Sequence, residues 1–202
     1  MSDSVALQCE CGAVSGRLRL KPAGRRLLCM CHSCQAYAKY LKKQSRMLDE
    51  HGGTDIYQVT PAQIDISQGA EHLQCVRLSD GGPLRWYTDC CNTPVANIIP
   101  NPKVPFAGMP TVFMDIDDDQ TREQVLGRVR YRIHARHGVG DADGHPSGPV
   151  GMLMATAISL LWNMLRGRSR PTPFFTEAGE PVAVPERLSD EVRTAIGLVR
   201  PE

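Results

Sequence analysis

Apolar and polar residues alternate through much of the first half of the chain. In VSGRLRL, residues 14–20, Val14, Leu18 and Leu20 oppose polar neighbours, and Gly16 interrupts the apolar side. A period of two is the signature of a half-buried strand. Residues 4–9 and 13–20 therefore read as two short strands, joined by a turn that carries Cys9, Cys11 and Gly12. After the break at Pro22-Ala23-Gly24, a strand from Arg25 leads into three closely spaced cysteines. Ser33 is placed to cap a helix over CQAYAKYLKKQSRML, residues 34–48.

Short strands then follow one another: DIYQVT before Pro61, QIDIS before Gly69, HLQCVRL before Asp80-Gly81-Gly82, and LRWYTD. TVFMDID, residues 111–117, and GRVRYRIHARHG, residues 127–138, alternate in the same way, with TREQVLG between them as a short helix. Repeated short strands separated by turn residues predict an antiparallel, mainly β core. Residues 138–149, GVGDADGHPSGP, are a loop or linker by composition.

The pattern changes at VGMLMATAISLLWNML, residues 150–165. Thr156, Ser159, Asn163 and Arg166 recur at helical spacing and define one narrow polar stripe, which predicts an amphipathic helix with a wide apolar face. The run is shorter than the ~20 residues that span a bilayer, so no transmembrane segment is expected. The ordinary use of such a face is docking, on the protein's own core or, over 150–166, on a second copy. A membrane-surface helix is the sharper alternative, supported by Arg166, Arg168 and Arg170. The domain organisation read from these patterns is a β domain over 1–137, a linker over 138–149 and a C-terminal helix and tail over 150–202.

Charge narrows the choice of partners. The formal net charge is +1, so bulk electrostatics gives no case for nucleic acid. The start, MSDSVALQCECG, lacks a basic stretch followed by an apolar one, which predicts no signal peptide and a cytoplasmic protein. Thiols stay reduced there. Eight cysteines then call for metal ligation rather than disulfides.

The cysteines fall in three groups: Cys9 and Cys11 in CECG, Cys29, Cys31 and Cys34 in CMCHSC, and Cys90 and Cys91 in DCCN. Cys75 stands alone and reads as a small buried residue. Tight turns put thiolates two or three residues apart on one ion, and zinc accepts a tetrahedral set of sulfurs. The triplet offers three sulfurs from one loop. Three protein ligands with an open fourth position, for water or a small thiolate, is the catalytic arrangement of zinc. A fourth ligand from Cys75 or His32 would close it into a structural site.

CxCG near the N-terminus, CxCxxC followed by a helix, and a cysteine hairpin ending in C-N-T-P together resemble the glutathione-dependent formaldehyde-activating enzyme and centromere protein V superfamily. The resemblance covers about residues 5–117. It implies a zinc-containing β-tent of short antiparallel strands with a few helices, to which residues 150–202 add a helical extension. It implies one or two zinc ions, with Cys9 and Cys11 in a structural site and Cys29, Cys31 and Cys34 in a second site beside bound glutathione. The activity implied is that of a carbon–sulfur lyase on a glutathione–formaldehyde adduct, with a small thiol or aldehyde adduct as partner. Aligning Cys91-Asn92-Thr93-Pro94 on the family hairpin puts Thr88 where a first cysteine belongs. The missing bond then falls to Cys90 or Asp89, or the site is three-coordinate, rearranged or metal-free. The alternative function is a non-catalytic zinc-stapled module that binds a partner through its C-terminal helix or its Arg-rich strand.

That strand carries Arg128, Arg130, Arg132, His134 and Arg136 on one expected face. It suits phosphate or carboxylate groups, or an outer face paired with Asp115 and Asp117. His134 and His137 would point to opposite faces and share no metal. Asp117-Asp118-Asp119 reads as a helix cap rather than a calcium loop.

Overall fold

A computed structural model of the chain describes residues 3–140 and 150–198, with backbone only at 150–153. The loop expected at 138–149 lies, from 141 onward, outside the described residues. The fold is mainly β. The N-terminal strands form where expected, β1 at Ser4–Gln8 and β2 at Ser15–Arg19. They continue with β3 at Arg25–Cys29, β4 at Thr54–Val59, β5 at Ile64–Gln68, β6 at Leu73–Arg77 and β7 at Leu84–Thr88. Three elements close the set: β8 at Pro94–Ile98, β9 at Ala107–Pro110 and a short β10 at Tyr131–Ile133.

β1, β2 and β5 make a three-stranded sheet in the order β1-β2-β5. The other strands, joined by β11 at Glu186–Arg187, make an eight-stranded sheet ordered β10-β3-β4-β9-β8-β7-β6-β11. The inner ladders are antiparallel, but β10 runs parallel to β3 and β11 parallel to β6. The expectation of purely antiparallel strands is corrected at both edges. Each edge strand arrives from far along the chain, not by a hairpin, so its direction is free to match its neighbour.

One core lies between the sheets. Val5, Leu7, Leu18 and Ile64 of the small sheet meet Val59, Cys75, Leu84, Trp86, Ala96 and Met109 of the large one. Phe174 packs against Trp86 with ring centroids 5.2 Å apart, so residues far toward the C-terminus complete this core. The opposite face of the large sheet carries α1 at His32–Tyr40, whose Ala36, Tyr37 and Ala38 pack with Val76, Leu78 and Ile196. Tyr37 Oη donates to the carbonyl of Trp86 at 2.9 Å, fixing the helix on the sheet.

The expected 34–48 helix is two pieces. α1 ends at Tyr40, Lys42 turns through φ 57°, and a one-turn α2 follows at Gln44–Met47. The cap of α1 is Cys31, whose Sγ accepts from the Cys34 N–H, rather than Ser33. TVFMDID is not a strand: Thr111–Phe113 form a 3-10 turn, and only Met114 bridges, to Leu7. Asp118 does cap α3, Asp119–Leu126, accepting from the Thr121 N–H at 2.8 Å. The Arg-rich stretch is extended only at β10. His134 turns left-handed at φ 59° and ends it, and Arg128 bonds Glu123 of α3 rather than Asp115 or Asp117.

The amphipathic helix forms as α4, Val150–Leu165, and α5 follows at Asp190–Ala195. α4 is inverted relative to the docking expected on its own core. Its polar stripe faces the protein, with Asn163 buried and Arg25 donating to Thr156 Oγ1 and the Ala155 carbonyl at 3.1 and 2.7 Å. Its apolar residues face outward. No helix among the described residues is long and apolar enough to cross a membrane.

Candidate metal centres

Two turns from different sheets build the first centre. Cys9 follows β1, and its Sγ accepts from the Val14 N–H at 3.2 Å while Gly12, at φ 79°, closes the turn back onto the Cys9 carbonyl. Opposite it, the β7–β8 turn carries Cys90 and Cys91. Asn92 takes a left-handed conformation, φ 56°, and its N–H bonds the Thr88 carbonyl. This geometry lets adjacent cysteines converge. The Glu10 N–H donates to Thr93 Oγ1 at 3.1 Å and locks the two turns together.

The sulfurs of Cys9, Cys11, Cys90 and Cys91 all lie within 4.8 Å of one another. Cys9 is 3.6 Å from Cys11 and 3.8 Å from Cys90, and Cys90 is 3.8 Å from Cys91. Four sulfurs held tetrahedrally at about 2.3 Å from zinc stand about 3.8 Å apart, so this donor set fits the ion. Thr88 is fully buried beneath the centre. Its hydroxyl contacts Cys91 Sγ at 3.4 Å and accepts from the Thr93 N–H at 3.2 Å, so it braces the loop. Asp89 meets His72 Nδ1 at 2.8 Å.

The second group is Cys29, Cys31 and Cys34, again with all sulfurs within 4.8 Å. β3 delivers Cys29, the cap of α1 delivers Cys31, and the first turn of α1 delivers Cys34. Cys29 and Cys34 are buried and Cys31 is half-buried. No fourth Cys, His, Asp or Glu joins them among the described residues. His32 is exposed and packs against His137 with the rings tilted by 45° and their centroids 4.1 Å apart, beside the start of the helix. His134 and His137 do not point to opposite faces: the left-handed turn at His134 ends the strand, and the two rings lie nearly parallel with centroids 6.3 Å apart. Cys75 is buried in the main core, apart from both clusters.

Sequence reasoning missed Arg85. It comes from β7, is 3% exposed, and lies with a guanidinium nitrogen 3.9 Å from Cys34 Sγ. Asn97 Oδ1 and Ser33 Oγ accept from it at 2.9 and 2.7 Å, and the Tyr37 ring lies beneath it. The signal was an arginine at an inward-facing strand position, visible only once the face that carries α1 is known. His72 was missed as well. With Asp89 and Cys90 it forms a third group within 4.8 Å, which shares Cys90 with the first centre.

Each centre concentrates negative charge on one sulfur. Proton donation from Cys29, then Cys34, holds the Cys31 thiol well below the usual range against the opposing effect of burial, with help from Arg85. Cys29 is correspondingly pushed up, first by its donation to Cys31. At Cys91 burial acts upward, but hydrogen bonds from Thr88, Thr93 and Cys11 outweigh it and bring the thiol to about 6. Burial pushes Cys90 up to about 12. A cluster that already stabilises a thiolate loses fewer protons when a cation enters.

The fold and these clusters define a mainly β protein whose turns gather cysteines into groups able to hold a metal ion. The chain belongs to a family of unknown function, DUF6151, whose model matches residues 1–186. No curated protein matches it. One matching solved structure, a crystal structure of a Rhodobacter sphaeroides protein, is 17% identical, covers 61% of this chain and 96% of its own length, and has a TM-score of 0.41.

Proposed function

We propose that this protein binds zinc at two centres and that the triplet centre handles small thiol adducts, in the manner of glutathione-dependent formaldehyde-activating enzymes. The observation that carries the reading is the contrast in donor number: four sulfurs at the first centre, three at Cys29, Cys31 and Cys34. In this reading Cys9, Cys11, Cys90 and Cys91 hold a structural ion. The motif resemblance extends the proposal to a β-tent over 1–137, a linker over 138–149, a C-terminal extension over 150–202 and a cytoplasmic location.

At the triplet, zinc when bound supplies a Lewis acid that favours thiolate over thiol. The protein's own residues supply the rest. Arg85, held rigid by Ser33 and Asn97, keeps a fixed positive charge beside Cys34 and favours an anionic substrate group. His137 is held below the usual imidazole range, first by desolvation and then by His32 and Arg136, and its Nε2 accepts from Arg136 Nε at 3.1 Å, which fixes the ring beside His32. The reaction served is formation or cleavage of a carbon–sulfur bond on a glutathione–aldehyde adduct.

Metal content measured by mass spectrometry on native protein tests this. Wild type carries two zinc ions per chain, and Cys31→Ser with Cys34→Ser loses one, keeps its fold and loses glutathione binding. Zinc-loaded wild type that neither binds glutathione nor changes the rate of adduct formation sinks the catalytic reading. The exposed apolar face of α4 favours a second reading, a zinc-stapled module that works by docking. A double variant that unfolds outright supports it.

A further inference from the structure

We propose that α4 seats this protein on an anionic lipid surface, an inference independent of any metal. Met154, Ile158, Leu161, Trp162, Met164 and Leu165 are between 49% and 74% exposed. At 100° per residue they cover an arc of about 160° on the helix. A seam for a single partner helix would be narrower. Soluble proteins turn such a face inward, and this one cannot. The opposite face is committed through Arg25 to Ala155 and Thr156, and through buried Asn163, whose Oδ1 accepts from Arg168 at 3.0 Å. Sixteen residues rise about 24 Å, too short to cross a bilayer but long enough to lie along one.

Charge selects the surface. From Gly144 to Thr176 the sequence holds no Asp or Glu but carries Arg166, Arg168 and Arg170. Arg166 lies over the Trp162 ring at 4.0 Å, pairing an aromatic body with a cation at the rim of the apolar face. Behind the helix a cleft of about 220 Å³ is lined by Arg25, Arg166 and Arg168 together with Thr156, Ser159 and Asn163, and no carboxylate lines it. This is donor chemistry for phosphate oxygens at the depth where headgroups would lie. A second copy docked on α4 would bring arginine to arginine with no acidic residue on the helix to compensate.

Full-length protein is sedimented with vesicles of phosphatidylcholine alone and of phosphatidylcholine with phosphatidylserine. Binding is expected to be about tenfold stronger to the anionic vesicles and to weaken in high salt. Emission of exposed Trp162 should shift to the blue on binding, while buried Trp86 stays constant. Leu161→Asp and Ile158→Asp, both at exposed positions, should abolish binding with an unchanged circular dichroism spectrum, and Arg166→Gln should weaken the anionic preference. Wild type that stays in the supernatant with both vesicles overturns the proposal. So does a dimer by light scattering that Ile158→Asp converts to monomer, which would assign the face to a second copy.

Discussion

Cys75 shows what a cysteine does here without neighbours of its kind. It lies opposite Trp86 in the β6–β7 ladder, 2% exposed, and burial pushes its thiol from 9.0 up to about 12. The unfolded chain releases this proton near pH 9 and the folded chain does not. Stability from this site is therefore full below pH 9 and falls as pH rises from 9 toward 12. Cys75→Ala should flatten that part of the stability–pH curve relative to wild type, measured by urea unfolding in alkaline buffers. At this scale the chemistry was legible where it is local. CxC and CxCxxC fix their sulfurs within one turn, so Cys9 with Cys11 and the triplet could be read directly. The convergence of Cys90 and Cys91 was not, because it depends on the left-handed turn at Asn92 and on the clamp from Glu10 to Thr93.

Elements taught a different lesson. Gly16 looked like a flaw in the apolar side of β2, yet it sits at a bulge where β5 crosses closely. A Cβ there would meet the Asp65 carbonyl oxygen at 2.0 Å. Gly16→Ala should destabilise by about 1–3 kcal/mol, because backbone cannot yield as a side chain does, and a thermal melt checks it. Alternation, together with turn residues between short runs, predicted β1 to β7 well. It failed for TVFMDID, whose register is used in a single bridge to Leu7 rather than a ladder. It also missed β8 and β9, buried on both faces, where alternation gives way to a near-continuous buried run. The periodicity of α4 revealed two unlike faces but not which one points outward. That was decided by Arg25, more than a hundred residues earlier.

For the whole molecule, the large sheet depends on residues distant in sequence. Phe174 is fully buried against Trp86, and β11 completes one edge. Phe174→Ala should cost about 3–5 kcal/mol, the price of emptying a large aromatic site in a packed core, read as a shift in the urea midpoint with unchanged slope. No motif announced this contact, since PTPFF reads as a tail until the sheet it covers exists.

The clamp at the first centre sets an order of events during synthesis. Cys9 and Cys11 emerge early, but Cys90 lies 81 residues beyond Cys9 and Cys91 one further. The N-terminal sheet must therefore leave the ribosome with its cysteine turn unpaired, and Trp86 must wait longer still for Phe174. In that interval the nascent chain presents open thiols and an uncovered indole, so the core can close only after the segment around Phe174 has been made.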